Sequence, residues 1–172
     1  PLKTRQEYRP LNGPVGAYED FCVETGRLTT LTMDGVVANR RRKRRLQRQA
    51  GLGTHFSTIE TLAGYFVVAS YDSNSKEKVF SVFDESLTQL ASLRLKGDHI
   101  IHSMLLFVRE RTLHILAANN YNTVDHLAFN VDAVYLIKTE TVNSNNVYGV
   151  VWITENEEAL VLGNYTLKRI RL

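Results

Sequence analysis

From His55 to Leu172, apolar and polar positions alternate in short runs, and no helical period persists beyond about two turns. The runs are rich in Val, Ile, Leu, Tyr and Phe, and polar turn sequences such as Asn143–Asn146 separate them. We predict a strand in each of the following runs: Ile59–Leu62, Tyr65–Tyr71, Lys78–Phe83, Leu87–Leu95, Ile100–Val108, Thr112–Ala118, Val124–Val131, Val134–Val142, Val147–Thr154, Ala159–Leu162 and Leu167–Leu172. The pattern therefore predicts an all-β domain of hairpins over residues 55–172.

The first 54 residues have a different texture. All three prolines, Pro1, Pro10 and Pro14, lie here, and proline disfavours both helix and sheet hydrogen bonding. Residues 21–33 contain β-branched and apolar types and predict one or two short strands. We interpret residues 1–54 as an extended N-terminal arm with short strands.

An internal repeat runs through the β-rich part. The segments Gly64–Asp84, Arg111–Asn130 and Glu158–Leu172 each begin with an apolar strand, followed by small residues, a polar turn and an alternating strand. With the flanking strands, the period is four strands in about 45 residues, which is the size of a propeller blade.

The repeat resembles the blade of a WD-repeat β-propeller. In that family the second strand ends in small residues before a turn with Asp, and the third ends in an aromatic residue followed by Asp. Ala69-Ser70-Tyr71-Asp72 and Val82-Phe83-Asp84 fit this unit, and Ala117-Ala118-Asn119 and Phe129-Asn130 repeat it. The Trp-Asp pair of the family is absent, and Trp152 occupies a first-strand position.

The resemblance implies a scaffold protein that is built of four-stranded antiparallel blades and holds partners on the ring. Residues 55–172 hold about two and a half blades, whereas a propeller needs roughly four to eight. We therefore expect an incomplete propeller, completed by another protein chain in a hetero-oligomer or by a missing part of the same protein. The alternative is a single up-and-down β-barrel or sandwich, in which a closed barrel binds a small apolar ligand.

The amino-acid composition argues against several classes of protein. The chain is 44% hydrophobic and 23% charged, values that argue against wholesale disorder. It contains no apolar run of about 18 residues, so we expect no membrane association through a spanning helix, and no signal-peptide pattern opens it. The single cysteine, Cys22, allows neither an intramolecular disulfide nor a multi-cysteine zinc site.

The charge is concentrated in one place. The net charge is +3, with 21 Lys and Arg against 18 Asp and Glu. Seven of the positive residues form a polybasic segment within residues 40–48, and without them 14 positive residues against 18 negative ones leave −4. Since like charges at helical spacing repel, we expect this segment to be disordered or frayed. Its members are Arg40, Arg41, Arg42, Lys43, Arg44, Arg45 and Arg48.

Three functions fit the polybasic segment. It is similar to nuclear import signals, it could contact nucleic-acid phosphates, and its Arg-Arg pairs could be a protease site. The remaining interpretation is a solvated loop. No aromatic residue lies between Val36 and His55, so a nucleic-acid contact would be to the backbone and without sequence preference.

No motif for catalysis is recognisable. The chain has no phosphate-binding glycine loop, no zinc-protease motif and no Gly-x-Ser-x-Gly turn. His114 and His126 lie on the predicted second and third strands of one blade and could be cross-strand neighbours, but two ligands are too few for a metal site. We therefore predict a non-catalytic protein without metal or cofactor, located in the nucleus or otherwise in the cytoplasm.

Overall fold

The computed structural model describes residues 18–24, 27–32, 37–39, 44–46, 55–86, 88–97, 101–119, 123–143, 147–153, 158–163 and 166–171. These residues form strands and turns and contain no helix, so no helix in them could cross a membrane. The all-β prediction is confirmed for this part of the chain. The strands are β1 (Tyr18–Glu24), β2 (Arg27–Thr32), β3 (Val37–Asn39), β4 (Arg44–Leu46), β5 (His55–Leu62), β6 (Tyr65–Asp72), β7 (Glu77–Phe83), β8 (Gln89–Lys96), β9 (Ile101–Arg109), β10 (Thr112–Asn119), β11 (Thr123–Asn130), β12 (Tyr135–Asn143), β13 (Val147–Ile153), β14 (Glu158–Gly163) and β15 (Thr166–Arg171).

The strands form four antiparallel sheets, each in sequence order. The first sheet contains β1–β4, the second β5–β8, the third β9–β12 and the fourth, within the described residues, β13–β15. After the last strand of a sheet, the chain continues to the first strand of the next sheet. Each sheet is therefore a local meander built from hairpins.

Turn residues set the register of these hairpins. Ala63 and Gly64 join β5 to β6 with φ angles of 52° and 83°, and a two-residue hairpin with two left-handed positions matches the twist of its strands. After β7, Asp84 Oδ1 accepts the backbone N–H groups of Ser86 and Thr88 at 2.7 and 2.8 Å. After β11, Asn130 Oδ1 accepts that of Ala133 at 2.8 Å. Asp84 and Asn130, equivalent in the sequence repeat, thus close equivalent turns.

The second and third sheets pack face to face around the larger core. Alternate residues of β10 (Leu113, Ile115 and Ala117) point into it because strand side chains alternate between the two faces. Phe80 on β7 and Phe129 on β11 are fully buried there. Burying one such side chain stabilises the fold by roughly 1.5–3 kcal/mol.

The opposite face of the third sheet packs on the fourth sheet. Leu116, Ala118 and Val124 form a smaller core with Ala159 and Val161 of β14. Strand β10 is therefore buried on both faces, which explains its nearly continuous apolar sequence.

The first strands of successive sheets lie side by side. β1 contacts β5, β5 contacts β9, and β9 contacts β13. Within the described residues, no comparable contact joins β13 back to β1. The four sheets are thus arranged in series through their first strands, and the part of this series that the structure describes is not closed.

Most sequence predictions agree with these bounds. The eleven strands predicted between Ile59 and Leu172 correspond to β5–β15, with shifts of a few residues at their ends. The single-barrel alternative is wrong for the described strands, which are hydrogen-bonded in four separate sheets.

The described residues between positions 18 and 46 form a four-stranded sheet, β1–β4. β1 and β2 agree with the one or two short strands predicted over residues 21–33, whereas β3 and β4 were not predicted. Residues 44–46, expected in a disordered or frayed segment, form β4, because their backbone pairs with β3 from Val37↔Leu46 to Asn39↔Arg44. The prolines Pro1, Pro10 and Pro14 lie outside the described residues.

Candidate functional site

A buried polar cluster joins the second sheet to the third. Lys78 on β7 reaches across the interface, forms an ion pair with Asp125 on β11, and donates to Asn119 Oδ1 at 3.1 Å. Lys78, Asn119 and Asp125 have exposed fractions of 7%, 0% and 1%. Charged groups buried this deeply are costly unless they are paired, so this contact constrains how the two sheets pack.

The carboxylate of Asp125 is surrounded by donors. Asn119 Nδ2 donates to Oδ2 at 3.0 Å, Thr141 Oγ1 donates to Oδ1 at 2.8 Å, and Lys138 Nζ lies 3.6 Å from Oδ1. Burial raises the pKa of Asp125, but the hydrogen bonds from Lys78, Asn119 and Thr141 and the charge of Lys78 outweigh it. The net pKa lies below the usual 3.8, so Asp125 is an ionised acceptor.

This saturation indicates a structural role. A general base needs a lone pair directed at a substrate, whereas both oxygens of Asp125 already accept protein donors. We call Lys78, Asn119, Asp125, Lys138 and Thr141 the Lys78–Asp125 cluster.

The predicted histidine neighbours form a second polar group. His114 Nδ1 lies 2.9 Å from His126 Nε2, which confirms that the two residues are cross-strand neighbours. Phe107 stacks on His114 with 4.6 Å between ring centroids, and His126 Nδ1 lies 3.4 Å from Glu140 Oε1. Among the residues that the structure describes, no group of three or more His, Cys, Asp or Glu side chains could hold a metal ion.

The surroundings of His114 favour the neutral form of its imidazole. Burial and the nearby His126 and Arg109 lower the pKa of His114 below its usual 6.5, because each disfavours a positive charge on the imidazole. The pair lies on the same face of the third sheet as Leu116 and Val124, which pack on the fourth sheet.

The outer strand of the fourth sheet carries exposed apolar and basic side chains. Among the described residues, β15 pairs with β14 on one side and with no strand on the other. Leu162 and Leu167 are opposite each other and are 43% and 62% exposed. Further along the same face, Arg169 and Arg171 are exposed, and Arg169 Nη1 lies 3.7 Å from Glu158 Oε2.

The polybasic segment is described only in part. Arg44 and Arg45 belong to β4, the last strand of the first sheet, and their backbones pair with Asn39 and Ala38. Arg40, Arg41, Arg42, Lys43 and Arg48 lie outside the described residues. The structure thus places two of the seven predicted site residues at a sheet edge.

Sequence reasoning missed the Lys78–Asp125 cluster. Its two charged members are separated by 47 positions and lie in different sheets, so no local spacing connects them. The sequence signal is limited to Asp125, a carboxylate inside the predicted strand Val124–Val131, since Lys78 is the first residue of its predicted strand. A charge within a predicted strand interior indicates a buried partner.

Comparison with known proteins identifies the fold only. No family model matches the chain, and no curated protein matches it. Among solved structures, the chain is similar to the computationally designed Ika4 protein, with a TM-score of 0.63 and 14% identity over 98% of this chain and 99% of that chain. It is also similar to the computationally designed Ika8 protein, with a TM-score of 0.52 and 14% identity over 92% of this chain and 49% of that chain.

The first prediction concerns the Lys78–Asp125 cluster. Replacement K78M leaves the Asp125 charge buried without its main partner and should lower the free energy of unfolding by about 3–5 kcal/mol. The double variant K78M/D125L removes both charges and should be more stable than K78M alone. Urea denaturation measures both values. R111A, which breaks the exposed pair with Asp132, is the control and should lose at most about 1 kcal/mol. Equal losses for K78M and R111A would contradict a structural role of the cluster.

The second prediction concerns His114 and pH. Because the folded state holds the pKa of His114 below its unfolded value, the unfolded chain binds the proton first as pH falls. Stability should therefore be full above about pH 6.5 and decline below it, until His114 is also protonated in the folded state. The variant H114Q should show a shallower decline in unfolding free energy between pH 7.5 and pH 5.5. Parallel curves for the two proteins would show that His114 makes no such contribution.

Proposed function

We propose that this chain is a non-catalytic scaffold of propeller-type blades that binds another protein by adding a strand to its fourth sheet. One observation carries the proposal: β15 is an outer strand with an open hydrogen-bonding edge among the described residues, beside the exposed Leu167. An open edge is a template for a further strand.

The order of the strands supports the blade interpretation. In every sheet the first strand contacts the first strand of a neighbouring sheet, and in the first three sheets the chain continues from the outermost strand to the next sheet. The second and third sheets also share the buried aromatic residue and turn-closing polar residue of the repeat, Phe83-Asp84 and Phe129-Asn130. Within the described residues the fourth sheet has three strands, so one added strand would give it the four strands of the other sheets.

The polar groups support a scaffold more than an enzyme. The Lys78–Asp125 cluster and the histidine pair satisfy one another across strands and sheets. The Lys78–Asp125 cluster also constrains the packing of the third sheet on the second. The accessible groups are instead those of a sheet edge, where backbone hydrogen bonds supply affinity and side-chain positions supply specificity.

The third prediction tests strand addition with a neutral probe. A blocked peptide of sequence Thr-Val-Thr-Thr-Leu-Thr should slow backbone hydrogen exchange in residues 166–171, because a new strand protects the edge N–H groups. A control peptide with proline at its third position loses a donor and should protect less. Protection that is equal for both peptides, or absent from β15, would contradict strand addition there.

We propose a second function for the polybasic segment, which is contact with nucleic-acid phosphates or with a nuclear import receptor. Its specific support is the edge position of β4, which places Arg44 and Arg45 on the last strand of the first sheet. In this proposal the protein acts in the nucleus, as a subunit of a complex.

The fourth prediction separates these two roles. If the segment binds duplex DNA with all seven cations, the logarithm of affinity should fall with the logarithm of salt concentration with a slope of about −6. A variant with all seven residues replaced by alanine should lose that slope, whereas K96A/R111A should keep it. If the wild-type chain shows no such slope but depends on the segment for nuclear accumulation of a tagged protein, import is its role. Unchanged affinity and location would leave a solvated loop.

A further inference from the structure

The charge pattern of β15 indicates which strand would fit its edge. The strand contains Lys168, Arg169 and Arg171 and no acidic residue. In an antiparallel pair, each residue of an added strand lies directly opposite one residue of β15, where opposite charges stabilise the pairing and like charges weaken it. The edge therefore discriminates among strands by charge.

We infer that the partner of this edge is an extended acidic segment of another protein, with acidic residues opposite Arg171 and Arg169 and an apolar residue opposite Leu167. This inference rests on the proposed strand addition and names the chemistry of the partner. If this inference holds, the side chains of the partner, as well as its backbone, determine which segment binds to β15.

The register follows from alternation along β15. Leu167, Arg169 and Arg171 share one face of the strand, since their partners on β14 are Leu162, Leu160 and Glu158. A partner running antiparallel meets Arg171 first and Leu167 later. Its sequence on this face is therefore acidic, acidic, apolar at every second position.

The apolar position has a defined place to pack. Leu167 is 62% exposed, and its cross-strand neighbour Leu162 is 43% exposed. A leucine or valine opposite Leu167 would extend this pair to three apolar side chains across three strands. Burial of these surfaces favours association, and the register becomes fixed because a shift by one residue moves the apolar side chain to the other face.

The acidic residue Glu158 on β14 does not cancel the preference of the β15 edge for an acidic partner. Glu158 lies 3.7 Å from Arg169, so one acidic residue already balances part of this face. Arg169 and Arg171 together still exceed it by one charge on the described side chains. A basic segment would place further positive charge beside them, and a second copy of β15 paired antiparallel with this one would do the same.

The experiment compares three peptides on the wild-type chain. The acidic probe is Glu-Val-Glu-Thr-Leu-Thr, the neutral probe is Thr-Val-Thr-Thr-Leu-Thr, and the basic probe is Lys-Val-Lys-Thr-Leu-Thr, each blocked and labelled with a fluorophore. At low salt we expect the acidic peptide to bind about tenfold more tightly than the basic one, with the neutral peptide between them. The difference should shrink at high salt because exposed charges are screened.

A charge-reversal variant locates the effect. R169E/R171E should reverse the preference toward the basic peptide, whereas K76E/R111E, which changes the net charge equally at other exposed positions, should keep the acidic preference. Hydrogen exchange on the wild-type chain identifies the protected strand without any substitution, so the result does not depend on the variant folding normally.

Each remaining outcome decides the question. Equal affinity for the three peptides, with β15 protected, overturns the acidic preference and leaves strand addition standing. Binding of none of them overturns both. Protection of another outer strand, such as β8 or β12, or concentration-dependent protection of β15 without peptide, overturns the inference, because the edge would then not be the site or would be occupied by a second copy of the chain.

Discussion

The packing of the third sheet between its two neighbours is the constraint on which the rest of the structure depends. Strand β10 sends Leu113, Ile115 and Ala117 to one core and Leu116 and Ala118 to the other, so a single strand connects two interfaces. A shift of its register by one residue would exchange the two sets and disrupt both cores. The tight cross-strand pairing of β10 with β9 and β11 therefore fixes the positions of the second and fourth sheets as well.

The Lys78–Asp125 cluster restricts the relative position of the second and third sheets more than their apolar packing does. Two apolar faces can slide over each other at little cost, whereas a buried carboxylate with defined donors has only one good position. Such a cluster is not evidence of extra stability, because desolvation offsets much of the attraction. Its contribution is to the geometry of the interface, since Lys78 comes from one sheet while Asn119, Asp125 and Thr141 come from the next.

The sequence predicted what depends on neighbouring residues and failed where distant segments decide. β5–β15 follow from local alternation and turn residues, and the nearness of His114 to His126 follows from hairpin pairing of consecutive strands. β4 was not predictable in this way, because a short run of arginines becomes a strand only when β3 supplies hydrogen-bonding partners. Lys78 and Asp125 are 47 positions apart in the sequence, and their pairing depends on the packing of two sheets. The open edge of β15 likewise depends on which strands meet, and no local pattern encodes it.

The basic residues of β15 have a simpler explanation than recognition, since natural proteins place lysine and arginine on edge strands to prevent edge-to-edge aggregation. Both explanations depend on charge repulsion at the edge, and they differ in which strands the edge excludes. Positive charge repels a second copy of the same edge and any other basic strand, but it cannot repel an acidic strand. An edge strand whose charges are all positive therefore prevents self-association and also selects acidic partners. The exposed Leu167 beside these charges supplies apolar surface that protection against aggregation does not require.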